Sequence, residues 1–275
     1  MGMAATLEDV SEFQRGLRET GAYRSDPARP LPALDRALGR FDFWYYVRLL
    51  GVIWDANRLV KSGRFTPATW EAVNLSYLRL LEGVGARLEV SGLDYPAAAK
   101  RPVVFVGNHM SILESFLLPA VLLHLNRVAA VVKESLLNYP LLGPFARATE
   151  PVSVGRTNPR DDLRAVLCEG RRCLEEGRSV ILFPQATRSA VFDPAAFNTL
   201  GVKLARDAAA PIVPLALKTD FQANGRFAKD VGPLDRTKTV HIRFGPPLAV
   251  GDDPKEANRT VVRFISAALA EWGAA

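Results

Sequence analysis

The chain has 275 residues, 48% hydrophobic and 23% charged, which is globular composition and excludes disordered and fibrous classes. A net charge of +6 favours anionic partners such as phosphates, acidic lipid surfaces or nucleic acid. The basic residues are scattered and form no recognisable nucleic-acid motif, so that partner is set aside.

Cys168 and Cys173 fall inside one predicted helix, which points to a reducing compartment rather than a disulfide framework. Met1 to Gln14 carries Glu8, Asp9 and Glu12 and has no long apolar centre, so it does not read as a signal peptide. No apolar run approaches the roughly 18–20 residues of a membrane span. The protein is therefore expected to lie on a bilayer, if it meets one, and not to cross it.

Periodicity predicts a helix over about Glu8 to Glu19, followed by a loop containing Pro27, Pro30 and Pro32. From Phe41 to Val60 the pattern is helical, and Arg48, Asp55 and Arg58 share one narrow stripe. The rest of that circumference is apolar or aromatic, which fits either a core helix or one laid in a membrane interface. Thr66-Pro67 reads as an N-cap and first helical residue, with Gly83 and Gly85 ending the helix. Residues 38–84 thus form a predicted two-helix hairpin.

From Ala86 onward, short apolar runs alternate with helical stretches. Strands are expected at Arg87–Val90, Val103–Val106, Val128–Val132, Val180–Phe183, Ile212–Leu217 and Val240–Phe244, with helices over 111–125, 159–176, 194–208 and 255–272. This order predicts an α/β fold with a largely parallel central sheet flanked by helices. The unpatterned connection Thr219–Lys238 is expected to run as a loop over a site.

Common catalytic signatures are missing: there is no phosphate loop, H-E-x-x-H, G-x-S-x-G or G-x-G-x-x-G pattern. Three histidines make a histidine-rich metal centre improbable, and His124 and His241 read as structural. His109 differs, because it follows a strand, where loops of α/β sheets collect ligands. A carboxylate near it, Glu114, could orient the imidazole for proton transfer. Ser111-x-x-Glu114 is also a capping box, so Glu114 could serve only the helix start. Past the strand ending at Phe183, Thr187 and Arg188 could grip a phosphate. The segment Pro151–Arg156 ends another short strand in an arginine.

Asn108–Glu114, Val152–Arg156, Phe183–Ser189 and Ile212–Leu215 resemble, in order, the four motifs of the glycerolipid acyltransferases typified by 1-acylglycerol-3-phosphate acyltransferase. That family carries N-H-x-S-x-x-D, a strand ending in arginine, F-P-E-G-T-R-S and a V-P strand. The resemblance spans roughly residues 87–220.

It implies that His109 is the base, oriented by Glu114. An acceptor hydroxyl would attack the thioester of acyl-CoA or acyl carrier protein, with no acyl-enzyme, metal or other cofactor. Thr187, Arg188 and Arg156, with Gln185 and Ala186, would bind the lysophospholipid acceptor, most simply lysophosphatidate. It further implies that residues 1–85 form a helical, membrane-associating segment and residues 86–275 the α/β acyltransferase domain. The protein would then sit peripherally on an anionic membrane surface, at its cytoplasmic face.

Three positions depart from the family pattern. Glu114 replaces aspartate and keeps the charge; Gln185 replaces glutamate and loses it; Ala186 replaces glycine, a costly change where φ must be positive. The last two leave open another lysolipid acceptor, or a lipid-binding protein without catalysis.

Overall fold

Local signals set the helix ends, and apolar runs set the strands. A computed structural model describes residues 5–274 apart from 186, 227 and 252. The first third holds α1 (Leu7–Thr20), the two-residue strand β1 (Tyr23–Arg24), α2 (Ala33–Leu38), α3 (Asp42–Lys61) and α4 (Pro67–Gly83). Next come β2 (Arg87–Ser91), α5 (Asp94–Ala98), β3 (Val104–Gly107), α6 (Glu114–Leu122), β4 (Val128–Lys133), α7 (Glu134–Leu137), α8 (Gly143–Ala148) and β5 (Val152–Val154). The chain continues through α9 (Pro159–Glu175), β6 (Ser179–Leu182), α10 (Leu200–Asp207), β7 (Ile212–Lys218), β8 (Thr239–Phe244) and α11 (Pro254–Glu271). Thr66 and Asn158 cap α4 and α9 through their side chains, each followed by proline, as expected. The helix expected over 194–208 is instead a single 3-10 turn, Pro194–Ala196, followed by the shorter α10.

Among the described residues, eight strands form one sheet in the order β1-β2-β8-β7-β3-β6-β4-β5. Pairing is parallel except at β1–β2 and β7–β8, so the expected α/β fold with a largely parallel sheet is the one observed. Strands β3, β6 and β7 are buried along their whole length, because helices cover both faces. Their pleat sends Phe105, Ile181 and Val213 into one core and Val104, Val180 and Ile212 into the other. The first core also takes Leu17 of α1, Tyr45 of α3, Leu81 of α4 and Leu117 of α6. The second is closed by α9, α10 and α11 through Val166, Leu204 and Ile265.

Helix α3 has two apolar faces. Tyr45, Ile53 and Ala56 are buried, while Phe43, Val47, Leu50 and Trp54 are 49–62% exposed. The exposed four recur at helical spacing and so line one stripe. Arg36 and Arg40 precede the stripe and Arg58, Lys61 and Arg64 follow it, all exposed. Among the described residues, no helix is long and apolar enough to cross a membrane.

Of the two histidines read as structural, His124 has both ring nitrogens buried, and burial lowers its pKa to about 4. The His241 ring stacks on Trp272 at 4.9 Å. Cys168 is exposed and Cys173 buried, and both are free thiols.

Candidate active site

The carboxyl ends of β3, β6 and β7 lie side by side, and the candidate residues follow directly from them. Val106 pairs with Leu182 and with Pro214, so 107–114, 183–189 and 218–238 all leave the sheet at one edge. Gly107 lets β3 approach β7 closely: a Cβ there would sit 2.8 Å from the Leu215 carbonyl oxygen. Asn108 then extends the ladder with its side chain. Its amide donates to the Leu217 carbonyl at 2.7 Å and accepts from the Leu217 N–H at 2.9 Å. With β3 pinned to β7 in this way, the next residue, His109, emerges at a fixed place.

Four contacts fix His109. Its N–H donates to the Gln185 side-chain oxygen at 2.8 Å, and its carbonyl accepts from the Ser189 N–H at 2.9 Å. Its ring stacks on Phe183, with centroids 4.3 Å apart and planes 5° from parallel. Its Nδ1 is hydrogen-bonded to Glu114 Oε2. The side chain of Glu114 is fully buried, whereas that of His109 keeps 17% of its surface exposed.

Glu114 is the centre of the arrangement. Its Oε1 accepts from the Met110 N–H at 2.8 Å, the Ser111 N–H at 3.1 Å and the Thr219 hydroxyl at 2.6 Å. Three donors on one oxygen stabilise the buried anion. Only half of the capping box forms. Glu114 reaches back to Ser111 as expected, but the Ser111 hydroxyl accepts from Leu113 N–H at 3.3 Å. The carboxylate thus serves the helix start with one oxygen and faces the imidazole with the other.

Reasoning from the sequence missed Thr219. It lies just past β7, 105 residues from Glu114, and it is completely buried. Its one available signal was its place directly after the V-P strand. Thr219→Val removes the donor at nearly constant volume, so kcat is expected to fall about 10-fold with KM for both substrates unchanged. Thr219→Ser, which restores the hydroxyl, should recover most of it. Steady-state kinetics of the two variants check this, and equal loss in both would show that only packing matters.

The remaining candidates sit around this pair. Gln185 is buried against the His109 main chain. Thr187 is exposed and accepts from Lys229 Nζ at 2.7 Å, and Arg188 pairs with Asp230 at 2.6 Å. Ala186 lies outside the described residues. Arg156 has φ of 58°, in the left-handed region, and its N–H donates to Asp162 Oδ1 at 3.0 Å.

The connection 219–238 does pass over the site. Besides Thr219, Lys229 and Asp230, it sends the Asn224 amide to the Met110 carbonyl at 3.0 Å. It is tied to α3 as well. Tyr45 donates to Gln222 at 3.0 Å, the Gln222 amide reaches the Tyr46 hydroxyl at 3.2 Å, and Arg236 pairs with Asp42 at 2.7 Å.

This edge of a parallel α/β sheet brings together a buried carboxylate on a histidine and arginine-bearing loops, a combination chemically capable of proton transfer beside an anion. The family model described as Acyltransferase matches residues 87–218, which contain every site residue expected from the sequence but not Thr219, Lys229 or Asp230. A 1-acyl-sn-glycerol-3-phosphate acyltransferase of Pseudomonas aeruginosa is 28% identical over 212 residues, covering 76% of this chain and 78% of its own. An enzyme of the same name from Chlamydomonas reinhardtii is 33% identical over 179 residues, 64% of this chain and 52% of its own. In fold, the crystal structure of the 1-acyl-sn-glycerophosphate acyltransferase PlsC of Thermotoga maritima matches with a TM-score of 0.63 and 18% identity, covering 85% of this chain and 95% of that one. Residues 87–218 thus match the acyltransferase family model, and the chain is similar to these acyltransferases.

Proposed function

We propose that the chain moves a fatty acyl group from acyl-CoA or acyl carrier protein to the free hydroxyl of 1-acylglycerol-3-phosphate, giving phosphatidate. The observation that carries this is the fully buried Glu114 carboxylate on His109 Nδ1, which leaves Nε2 as the ring nitrogen for an acceptor hydroxyl. Nε2 takes the hydroxyl proton as the oxygen attacks the thioester carbonyl. The tetrahedral intermediate then expels the thiolate, breaking the C–S bond, and the imidazolium returns the proton to the leaving sulfur. Glu114 stays ionised and stabilises the imidazolium between the two steps. Gln185 holds the base in register, while Thr187 and Arg188, helped by Arg156, bind the acceptor phosphate. The similarity to 1-acyl-sn-glycerol-3-phosphate acyltransferases supports lysophosphatidate as that acceptor.

The acceptor has to come from a bilayer. In this proposal the exposed stripe of α3, rimmed by basic side chains, seats the protein peripherally on the cytoplasmic face of an anionic membrane. Residues 1–85 then act as the membrane-associating segment and residues 86–275 as the acyltransferase domain. Leu50→Ser combined with Trp54→Ser should lower partition onto anionic vesicles by about 10-fold or more, since each removes a large apolar side chain from the interface. Co-sedimentation measures this, and unchanged partition would remove α3 as the contact.

The activity itself is tested with purified protein and each acyl thioester. Free thiol should appear only when lysolipid is supplied. Release without acceptor, or none with any lysolipid, overturns the assignment.

A further inference from the structure

The connection 219–238 touches the site on its inner side, and α3 holds it from the outside. Inward, it sends Thr219 to Glu114, Asn224 to the Met110 carbonyl, Lys229 to Thr187 and Asp230 to Arg188. Outward, Asp42 of α3 accepts from the Leu234 N–H at 3.1 Å and pairs with Arg236, while the Tyr46 hydroxyl donates to the Gly232 carbonyl. Gln222 joins the two sides, and it is only 1% exposed. Its oxygen accepts from the Tyr45 hydroxyl at 3.0 Å, and its nitrogen donates to the Tyr46 hydroxyl at 3.2 Å and to the Asp230 carbonyl at 3.0 Å. A main-chain carbonyl can only accept, so the Asp230 carbonyl fixes which way this amide lies. The Tyr45 hydroxyl is in turn bonded to that of Tyr77 at 2.9 Å, and both tyrosines are fully buried. Oriented hydrogen bonds therefore lead from α4 through α3 to Gln222, and from Gln222 to the main chain at Asp230.

Given the acyl-transfer reading above, on which this rests, we infer that Gln222 is a positioning residue for the acceptor side of the site. Through Tyr45 and Tyr46, α3 then belongs to the catalytic unit as well as forming the membrane seat. The donor on the Asp230 carbonyl fixes the main chain there, and with it the directions in which Lys229 and Asp230 reach Thr187 and Arg188. Asp230 bonds one nitrogen of the Arg188 guanidinium. It can thus hold the fork in place while other N–H groups of that fork meet an incoming anion. An arginine already held in its binding direction loses less freedom when the acceptor arrives. Thr219 acts at the other end of the connection. It follows β7 directly and bonds Glu114, so it serves the proton-transfer step without help from Gln222.

The test uses the full-length protein with 1-acylglycerol-3-phosphate in neutral detergent micelles, which takes the bilayer out of the measurement. Gln222→Met nearly keeps the side-chain volume and removes the amide. It should raise KM for the acceptor about 10-fold, leave KM for the acyl thioester unchanged and alter kcat by less than about 3-fold. Tyr46→Phe, a milder variant in case Gln222→Met folds poorly, should raise the acceptor KM about 3-fold in the same pattern. Both variants should partition onto anionic vesicles like the wild type, because the exposed stripe of α3 is untouched. A lower kcat with both KM values unchanged, as from a smaller folded fraction, overturns the inference, as does an equal rise in both KM values. Wild-type kinetics in both variants, with or without weaker vesicle partition, overturns it too. In each of these cases acyl transfer stands. A wild type that acylates no lysolipid overturns both readings.

Discussion

His109→Ala is expected to lower kcat by roughly 10²–10⁴-fold, the contribution usual for a positioned general base. The fold should survive. The ring is partly exposed and packs chiefly on Phe183, so its loss costs about 1 kcal/mol of stability. Circular dichroism should therefore be unchanged while thiol release with lysolipid disappears. The main-chain bonds to Gln185 and from Ser189 do not depend on the imidazole, so the acceptor loop stays in place. Full activity in this variant would refute the mechanism.

Glu114→Gln should be nearly as damaging to turnover, for a different reason. The glutamine oxygen can still accept from Met110, Ser111 and Thr219, so the turn persists. The group facing His109 Nδ1 then becomes an N–H donor. That forces Nδ1 to accept and puts the proton on Nε2, the tautomer that cannot remove a proton from a hydroxyl. It also withdraws the charge that stabilises the imidazolium. A loss of about 10³–10⁴-fold in kcat follows, by analogy with the amide-for-carboxylate exchange in a serine-protease triad. Glu114→Ala should add instability, because it leaves three donors in a dry site without an acceptor, at about 1–3 kcal/mol for each donor that water cannot reach. Thermal unfolding separates the two variants, and the alanine form should melt well below the glutamine form.

Much of this was legible in the sequence, and the boundary has physical causes. Long elements with a complete period and a cap, such as α4, α9 and α11, were expected within a residue or two of where they lie. Several short ones were not. Strand β1 and helices α2, α5, α7 and α8 have two to six residues each, too few for a periodic pattern, and they exist because neighbours supply hydrogen bonds and apolar contacts. Two opposite expectations for α3 each describe one side of it. The helix is apolar almost all round because one face belongs to the core and the other is exposed.

Local order in the sequence determined the fold class, the strand ends from which the loops leave, and the candidate residues on the loops after β3 and β6. Those features depend on periodicity, capping and the succession of motifs, all written within a few neighbours. The partner of each site residue was decided only by tertiary structure, because those partners lie far apart in the chain. Thr219 reaches Glu114 across 105 residues, Gln185 reaches the His109 N–H across 76, and Asp230 reaches Arg188 across 42. No periodicity links such positions. Parallel strands place their ends side by side, and only there do the glutamate's two oxygens find separate partners, one set at the helix start and the other on the histidine.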